Sequence, residues 1–231
     1  LYRNVNPAQD FRNFNLDRLI LQYARGGDFL DIGAGEGYLL SLARDGGFQV
    51  FGIEPNEDLI QLSRHRYGEM EIAHGGAEQM LPRLSKKFDT AVMADVLEHI
   101  EDDAMTLKKL FNVIKPGGRL IIVVPAYPFL FCHSDKAEGH FRRYTRRELK
   151  KLVEQSGFRV VAVRYWNMLG LLPHLFFGKI LGNNLADIRK RVHGGGKSLL
   201  NSFLHFWFSH IENNYNLGFG ISIIMVAEKP L

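Results

Sequence analysis

A single cysteine, Cys132, in a chain of 231 residues excludes an internal disulfide and points to a reducing compartment, hence a cytoplasmic protein. The residue itself reads as a small, half-buried apolar side chain rather than a nucleophile. No apolar run reaches 18 residues, so no membrane-spanning helix is expected. Charge of one sign is scarce as well. Against 29 Lys and Arg stand 25 Asp and Glu, and a net +4 gives no reason by itself to expect nucleic acid. The opening residues, with Asn4, Asn6, Gln9 and Asp10, do not look like a signal peptide. What is present is enough chain for one α/β domain over 1–231.

The most informative stretch is Phe29-Leu30-Asp31-Ile32-Gly33-Ala34-Gly35-Glu36-Gly37-Tyr38: an apolar strand, an acidic residue, three alternate glycines and the start of a helix. Alternate glycines let the backbone turn and approach a ligand without Cβ clashes, and the helix start adds unpaired N–H groups. Dinucleotide-binding loops read G-x-G-x-x-G. Here Tyr38 holds the place of the last glycine, and an acidic side chain at the strand end would repel a pyrophosphate while suiting a cationic ligand.

Strand-like and helix-like segments alternate along the chain. An amphipathic helix is expected over 14–25, with Leu16, Leu19, Ile20 and Tyr23 on one face. Strands follow at 28–32, at 48–53 with Glu54 at its end, near 70–73, and at 88–94 ending in Asp95. Helices are expected over 37–44, 57–66, 102–114 and 145–156, with Lys115-Pro116-Gly117-Gly118 as a helix stop and turn. Further strands span 119–124, 158–165 and 221–228. Near-continuous apolar strands separated by helices describe a parallel sheet covered on both faces, with ligands at the strand C-termini. Asp31, Glu54, Glu78 and Asp95 should therefore line one rim.

The D-x-G-x-G-x-G pattern resembles the nucleotide loop of class I S-adenosyl-L-methionine (SAM) methyltransferases, and the match runs over about 29–165 and 221–228. It implies a Rossmann-like, doubly wound, seven-stranded sheet with its last strand antiparallel and a helical insertion between strands six and seven. It also implies SAM as cofactor and S-adenosyl-L-homocysteine as product. Asp31, Gly33, Ala34, Gly35 and Gly37 would receive the methionine portion. Glu54, followed by Pro55, matches the acidic residue that binds both ribose hydroxyls, since a carboxylate can accept two hydrogen bonds at once. Gly76-Ala77-Glu78 resembles the segment that reads the adenine edge. Asp95-Val96-Leu97-Glu98-His99-Ile100 looks like the family's stretch after strand four, with Asp95 and Val96 against the cofactor. Lys115-Pro116-Gly117-Gly118 matches the family's turn before strand five. Asp95 and His99 are four apart and share a helical face if the helix begins at the motif. Packing or capping would explain His99 equally well.

His133-Ser134-Asp135 and Gly139-His140-Phe141-Arg142-Arg143-Tyr144 resemble an H-x-D…G-H-x-R-R-Y signature of a bacterial branch of the family, in a connection that overhangs the acceptor pocket. His140, His99 and Asp95 are the catalytic candidates, because histidine serves as a general base near neutral pH. His133, Asp135, Arg143 and Tyr144 are the acceptor-binding candidates, Arg143 as a clamp on a carboxylate or phosphate. The alternative is that Asp135, His140 and Arg143 form a structural knot. One His-x-Asp and a distant His make no ligand set, so no metal is expected.

Arg142, Arg143, Arg146, Arg147, Lys150 and Lys151 read as a solvated helix face or an anion-facing surface. The insertion, 167–217, alternates apolar clusters (Leu172 and Phe176; Phe203, Phe206 and Trp207) with a basic patch around Arg189, Lys190 and Arg191, and Gly194-Gly195-Gly196 breaks it. It is expected to be a lid over the acceptor pocket, with contact to anionic membrane or a dimer surface as alternatives. The expected activity is methylation of a hydroxyl on a small-molecule or lipid-linked acceptor, with no nucleic acid. An amino-methyltransferase of nucleic acid would carry Asn or Asp, two prolines and an aromatic residue after strand four, where this chain has Ala94-Asp95-Val96-Leu97. A non-catalytic SAM-binding module is the remaining alternative.

Overall fold

The computed structural model describes residues 11–176 and 199–231. Seven strands form one sheet in the order β3-β2-β1-β4-β5-β7-β6: β1 (Asp28–Ile32), β2 (Gln49–Glu54), β3 (Ile72–His74), β4 (Phe88–Ala94), β5 (Ile114–Pro125), β6 (Arg159–Trp166) and β7 (Ser222–Glu228). Only β7 is antiparallel to its neighbours, β5 and β6. The Rossmann-like architecture is the one expected from the strand pattern and the family resemblance together.

Alternation along β5 shows how one strand feeds two cores. Ile122 and Val124 pack with Leu107 and Leu110 of α5 (Asp103–Val113) and with Leu149 and Val153 of α7 (Arg146–Gln155). Ile121 and Val123 face the other way. They meet Leu16, Leu19 and Ile20 of α1 (Phe11–Tyr23) and Leu39 and Leu40 of α2 (Tyr38–Asp45). The remaining early helices are α3 (Glu57–Tyr67), the short α4 (Ala77–Met80) and α6 (His133–Glu138). Side-chain caps fix several starts: Asn56 accepts from the Asp58 N–H, Asp102 from Met105, and Thr145 with Glu148 closes a capping box.

Two local expectations change. Lys115-Pro116-Gly117-Gly118 does not precede β5 but bulges out of it: Phe88 pairs with Ile114 and Thr90 already with Arg119. Gly117, at φ 75°, supplies the left-handed turn. Asp95 and His99 do not share a helix. Asp95 is left-handed at φ 54°, Leu97–His99 is a single tight turn, and the helix starts only at Asp103.

Beyond β6 lie a short helical turn, α8 (Leu171–Pro173), and then α9 (Leu199–Trp207), which runs into a wide turn, Phe208–Glu212. The basic patch and Gly194-Gly195-Gly196 lie outside the described residues. The described part of the insertion is fastened to the sheet and to α1. The Trp166 indole donates to Asn213 Oδ1 at 3.0 Å, and Asn213 Nδ2 donates to the Asn15 carbonyl at 2.9 Å. Buried Glu212 accepts from the Asn167 and Met168 N–H groups at 2.7 and 2.6 Å and from the Trp207 indole at 3.2 Å. Glu212→Ala would strand three donors. At about 1 kcal/mol or more for each, we expect a loss of roughly 2–4 kcal/mol in urea unfolding; a loss under about 1 kcal/mol would contradict this anchor.

Candidate active site

The glycine loop joins β1 to α2 with Gly33, Gly35 and Gly37 all left-handed, at φ 73°, 55° and 78°. Two of them also need the space. A Cβ on Gly33 would lie 2.4 Å from Val96 Cγ2, and one on Gly37 would lie 2.2 Å from Ser63 Oγ. At Gly35 no described atom comes within 4 Å of that position, so the loop is open on this side. Gly33 and Ala34 donate to the Ile53 carbonyl, which ties the loop to β2.

Glu54, buried at the end of β2, holds the loop from the other side. Its Oε2 accepts from the Gly35 N–H at 2.7 Å and its Oε1 from the Asn56 N–H at 2.9 Å. Each carboxylate oxygen keeps a second lone pair. Asp31 is also buried, and its carboxyl is pushed well above the usual range, first by burial and then by the neighbouring Asp17 and Glu54. Such a group gains from a cationic ligand. An open glycine loop beside two buried carboxylates therefore fits the sulfonium, ammonium and ribose of SAM. Glu36 is committed elsewhere, to an ion pair with Arg66. Pro55 follows Glu54, and its carbonyl contacts the His74 imidazole at 3.1 Å.

Asp95 stands just beyond β4, half-exposed, and Arg12 of α1 donates to its Oδ2 at 2.7 Å. Nothing in the sequence pointed to Arg12. Ala77 is buried in the first turn of α4, whereas the Glu78 side chain is exposed, with its carbonyl accepting from Lys109 Nζ. Asp31, Glu54 and Asp95 thus share the strand-end rim, and Glu78 lies on its outer side.

In the segment after β5, Asp135 is the hub. Its Oδ1 receives His140 Nδ1 at 3.0 Å and Arg143 Nε at 2.8 Å, while Oδ2 receives the Cys132 N–H at 2.8 Å. Burial would raise this carboxyl, but the bonds from His140 and Arg143 and the Arg143 charge outweigh it and hold it far below the usual range. Arg143 is itself buried and reaches the Ala126 carbonyl and His174 Nε2. Because Arg143 can only donate, that His174 nitrogen is the acceptor; burial and then the Arg143 charge push the His174 pKa down. Tyr144, also buried, donates to Asp103 Oδ2 at 2.9 Å, and burial and then Asp103 push its phenol up. His133 is exposed at the first position of α6 and stays apart from this cluster.

His99 is exposed, and its ring meets that of His140 at 4.6 Å, edge to face. Burial of part of the ring and then His140 lower the His99 pKa. Glu98 precedes His99 in the same turn. It is buried beside them, and burial and then Asp95 push its carboxyl well up.

A model of the methyltransferase domain matches residues 8–163, well over half of the chain. The chain belongs to that family. Its cofactor is SAM. A probable SAM-dependent methyltransferase of Mycolicibacterium smegmatis is 32% identical over 172 residues, 74% of this chain and 61% of the relative. A ubiquinone biosynthesis O-methyltransferase of Pseudomonas aeruginosa is 31% identical over 101 residues, 42% of this chain and 44% of that one. A SAM-dependent methyltransferase structure from Archaeoglobus fulgidus superposes with a TM-score of 0.64 at 21% identity, over 96% of this chain and 94% of that one, a likeness of fold. The chain spans 61% of the length of the mycobacterial relative.

In this methyltransferase domain the open side of Gly35 is the sensitive point. Gly35→Ala meets no described atom, and a left-handed alanine costs about 1–2 kcal/mol. We expect a folded variant, by circular dichroism, that binds SAM at least tenfold more weakly in calorimetry. Unchanged affinity would show that the ligand does not approach this loop.

Proposed function

We propose that this domain transfers the methyl group of SAM to a hydroxyl of a small-molecule or lipid-linked acceptor. The observation that carries the cofactor side of this reading is the pair of buried carboxylates, Asp31 and Glu54, around the open Gly35 loop. SAM supplies an activated methyl on a sulfonium, displaced in line so that sulfur leaves as a neutral thioether. The chain contributes orientation and exclusion of water, and aligning two bound reactants is worth roughly 7–11 kcal/mol. Glu54 holds the ribose hydroxyls, Asp31 faces the cationic end, Ala77 and Glu78 border the adenine, and Asp95 with Val96 closes the cofactor side. His99 and His140, whose rings meet, are the candidates to take the acceptor's proton. Asp135, Arg143 and Tyr144 hold the loop that carries His140, and the exposure of His133 supports it as the member of that signature to contact the acceptor. The O-methyltransferase activity in the name of the Pseudomonas relative supports oxygen as the accepting atom.

Glu54→Ala should weaken SAM by roughly 1.5–3 kcal/mol through loss of hydrogen bonds to a charged acceptor; equal affinities in calorimetry would refute the ribose assignment. Transfer of radiolabelled methyl from SAM into extract tests catalysis, and the absence of any labelled product at saturating SAM would leave a binding module.

Exposed apolar side chains favour a second reading, in which the acceptor is lipid-linked and the domain meets anionic membrane. Leu172 is 73% exposed, and Phe176, Phe203 and Phe206 are each more than half exposed, on either side of 177–198. Among the described residues no helix is long and apolar enough to cross a membrane. Flotation with liposomes should show binding that rises with anionic lipid. Equal flotation with neutral and anionic vesicles would retire this reading.

A further inference from the structure

We propose that Glu98, His99 and His140 form a divalent-cation site that takes the acceptor's hydroxyl oxygen. The acceptor half of this inference rests on the methyl-transfer reading; the cation half stands on the geometry alone. One ligand atom from each of the three residues lies within 4.8 Å of the other two. Two separate elements bring them together. The turn after β4 presents Glu98 and His99, and the loop after α6 presents His140. The Phe141 N–H donates to the Glu98 carbonyl at 2.8 Å and locks one to the other.

Two features point to a ligand rather than to packing. Glu98 is 1% exposed, and its Oε2 has no hydrogen-bond partner among the described residues. A buried carboxylate oxygen without a donor is costly unless a cation meets it. The second feature is the treatment of His140. Its Nδ1 is bonded to Asp135, and Asp135 is held in turn by Arg143 and the Cys132 N–H. A carboxylate behind one ring nitrogen is the arrangement that orients a histidine for metal through the other. That other nitrogen, Nε2, has half-exposed Glu138 Oε2 at 3.6 Å, a candidate fourth ligand. Asp95, engaged by Arg12, is near enough to Glu98 to act on it electrostatically.

A second group of ligand-type atoms, Cys132, Asp135 and His174, does not make a site. There the Arg143 guanidinium already contacts both Asp135 and His174. At Glu98 no described cationic side chain takes that place.

Two imidazoles and one carboxylate suit zinc, cobalt, manganese or iron in the divalent state and leave positions open. An acceptor hydroxyl bound at an open position is made more acidic: its O–H bond breaks, the electron pair stays on oxygen, and the proton passes to water. This gives the two histidines a role other than general base.

The test is titration of Co2+ into the metal-stripped protein, read by calorimetry and by visible absorption of the bound ion. We expect one equivalent, with affinity reduced at least about tenfold in Glu98→Gln and in His99→Ala. His99 is exposed, so His99→Ala keeps the fold even if the buried substitution does not, which circular dichroism checks. No saturable binding, or binding unchanged in His99→Ala, would overturn the site. SAM affinity measured on the same samples separates the two readings. A failed Co2+ titration with SAM bound leaves methyl transfer standing, and failure to bind SAM bears on that reading alone.

Discussion

Carboxylates withdrawn from water at the C-terminal edge of the sheet are the constraint on which the rest of the site depends. Asp31, Glu54, Glu98 and Asp135 are each 5% exposed or less. A carboxylate so placed must be compensated or lose its charge. The chain treats the four differently. Glu54 and Asp135 are satisfied from within, by the Gly35 and Asn56 N–H groups in one case and by His140, Arg143 and the Cys132 N–H in the other. Asp31 has other carboxylates as its charged neighbours, and Glu98 keeps an oxygen without a donor. The satisfied pair builds the frame. Asp31, whose charged neighbours are carboxylates, and Glu98, with its donorless oxygen, are where added positive charge would be favourable.

Most of the sheet was legible because its strands are short apolar runs bounded by glycine, proline and acid. Phe88–Ala94 is such a run, and β1 and β4 fell where the pattern put them. Glu54 was legible for the same reason: it ends a strand, and parallel strands end on one rim. The segment after β4 was not. Its D-x-x-x-H spacing suits a helix, and nothing local in it announces that Asp95 turns left-handed and that helix α5 waits for the Asp102 cap. Lys115-Pro116-Gly117-Gly118 misled similarly. Proline and two glycines read as a turn between elements, but pairing of Ile114 with Phe88 draws the strand in before the bulge. Non-local pairing decides such cases, and a window of sequence does not contain it.

The H-x-D…G-H-x-R-R-Y segment shows the same limit in side chains. Spacing could not choose between acceptor contacts and a knot. In the folded chain Arg143 is buried, and its guanidinium meets one carboxylate, one carbonyl and one imidazole. A planar fork with fixed donor directions can serve all three; a lysine ammonium could not hold them in one plane. Burying a guanidinium is tolerable only with such partners. Glu98 was overlooked for a related reason. A glutamate in such a motif reads as exposed, whereas in the folded chain it is buried where the Phe141 N–H docks on its carbonyl.

Among the described residues three other than glycine adopt left-handed backbone, and each follows the end of a strand: Asp95 after β4, Tyr127 after β5 and Asn167 after β6. Conformations of this kind cost about 1–3 kcal/mol each and persist where surroundings over-determine them. The over-determination here comes from other parts of the chain. Asp95 is held by the Val123 carbonyl and by Arg12 of α1. The Tyr127 N–H donates to the Tyr144 carbonyl, and the Tyr127 ring stacks on Tyr165. The Asn167 N–H donates to Glu212, beyond α9. Helix α1, the signature loop and the late insertion therefore each pin one corner of the same rim. That gives the insertion a positioning role that does not depend on its closing over anything: the part that reaches Glu212 fixes the turn after β6 in the shape the rim requires.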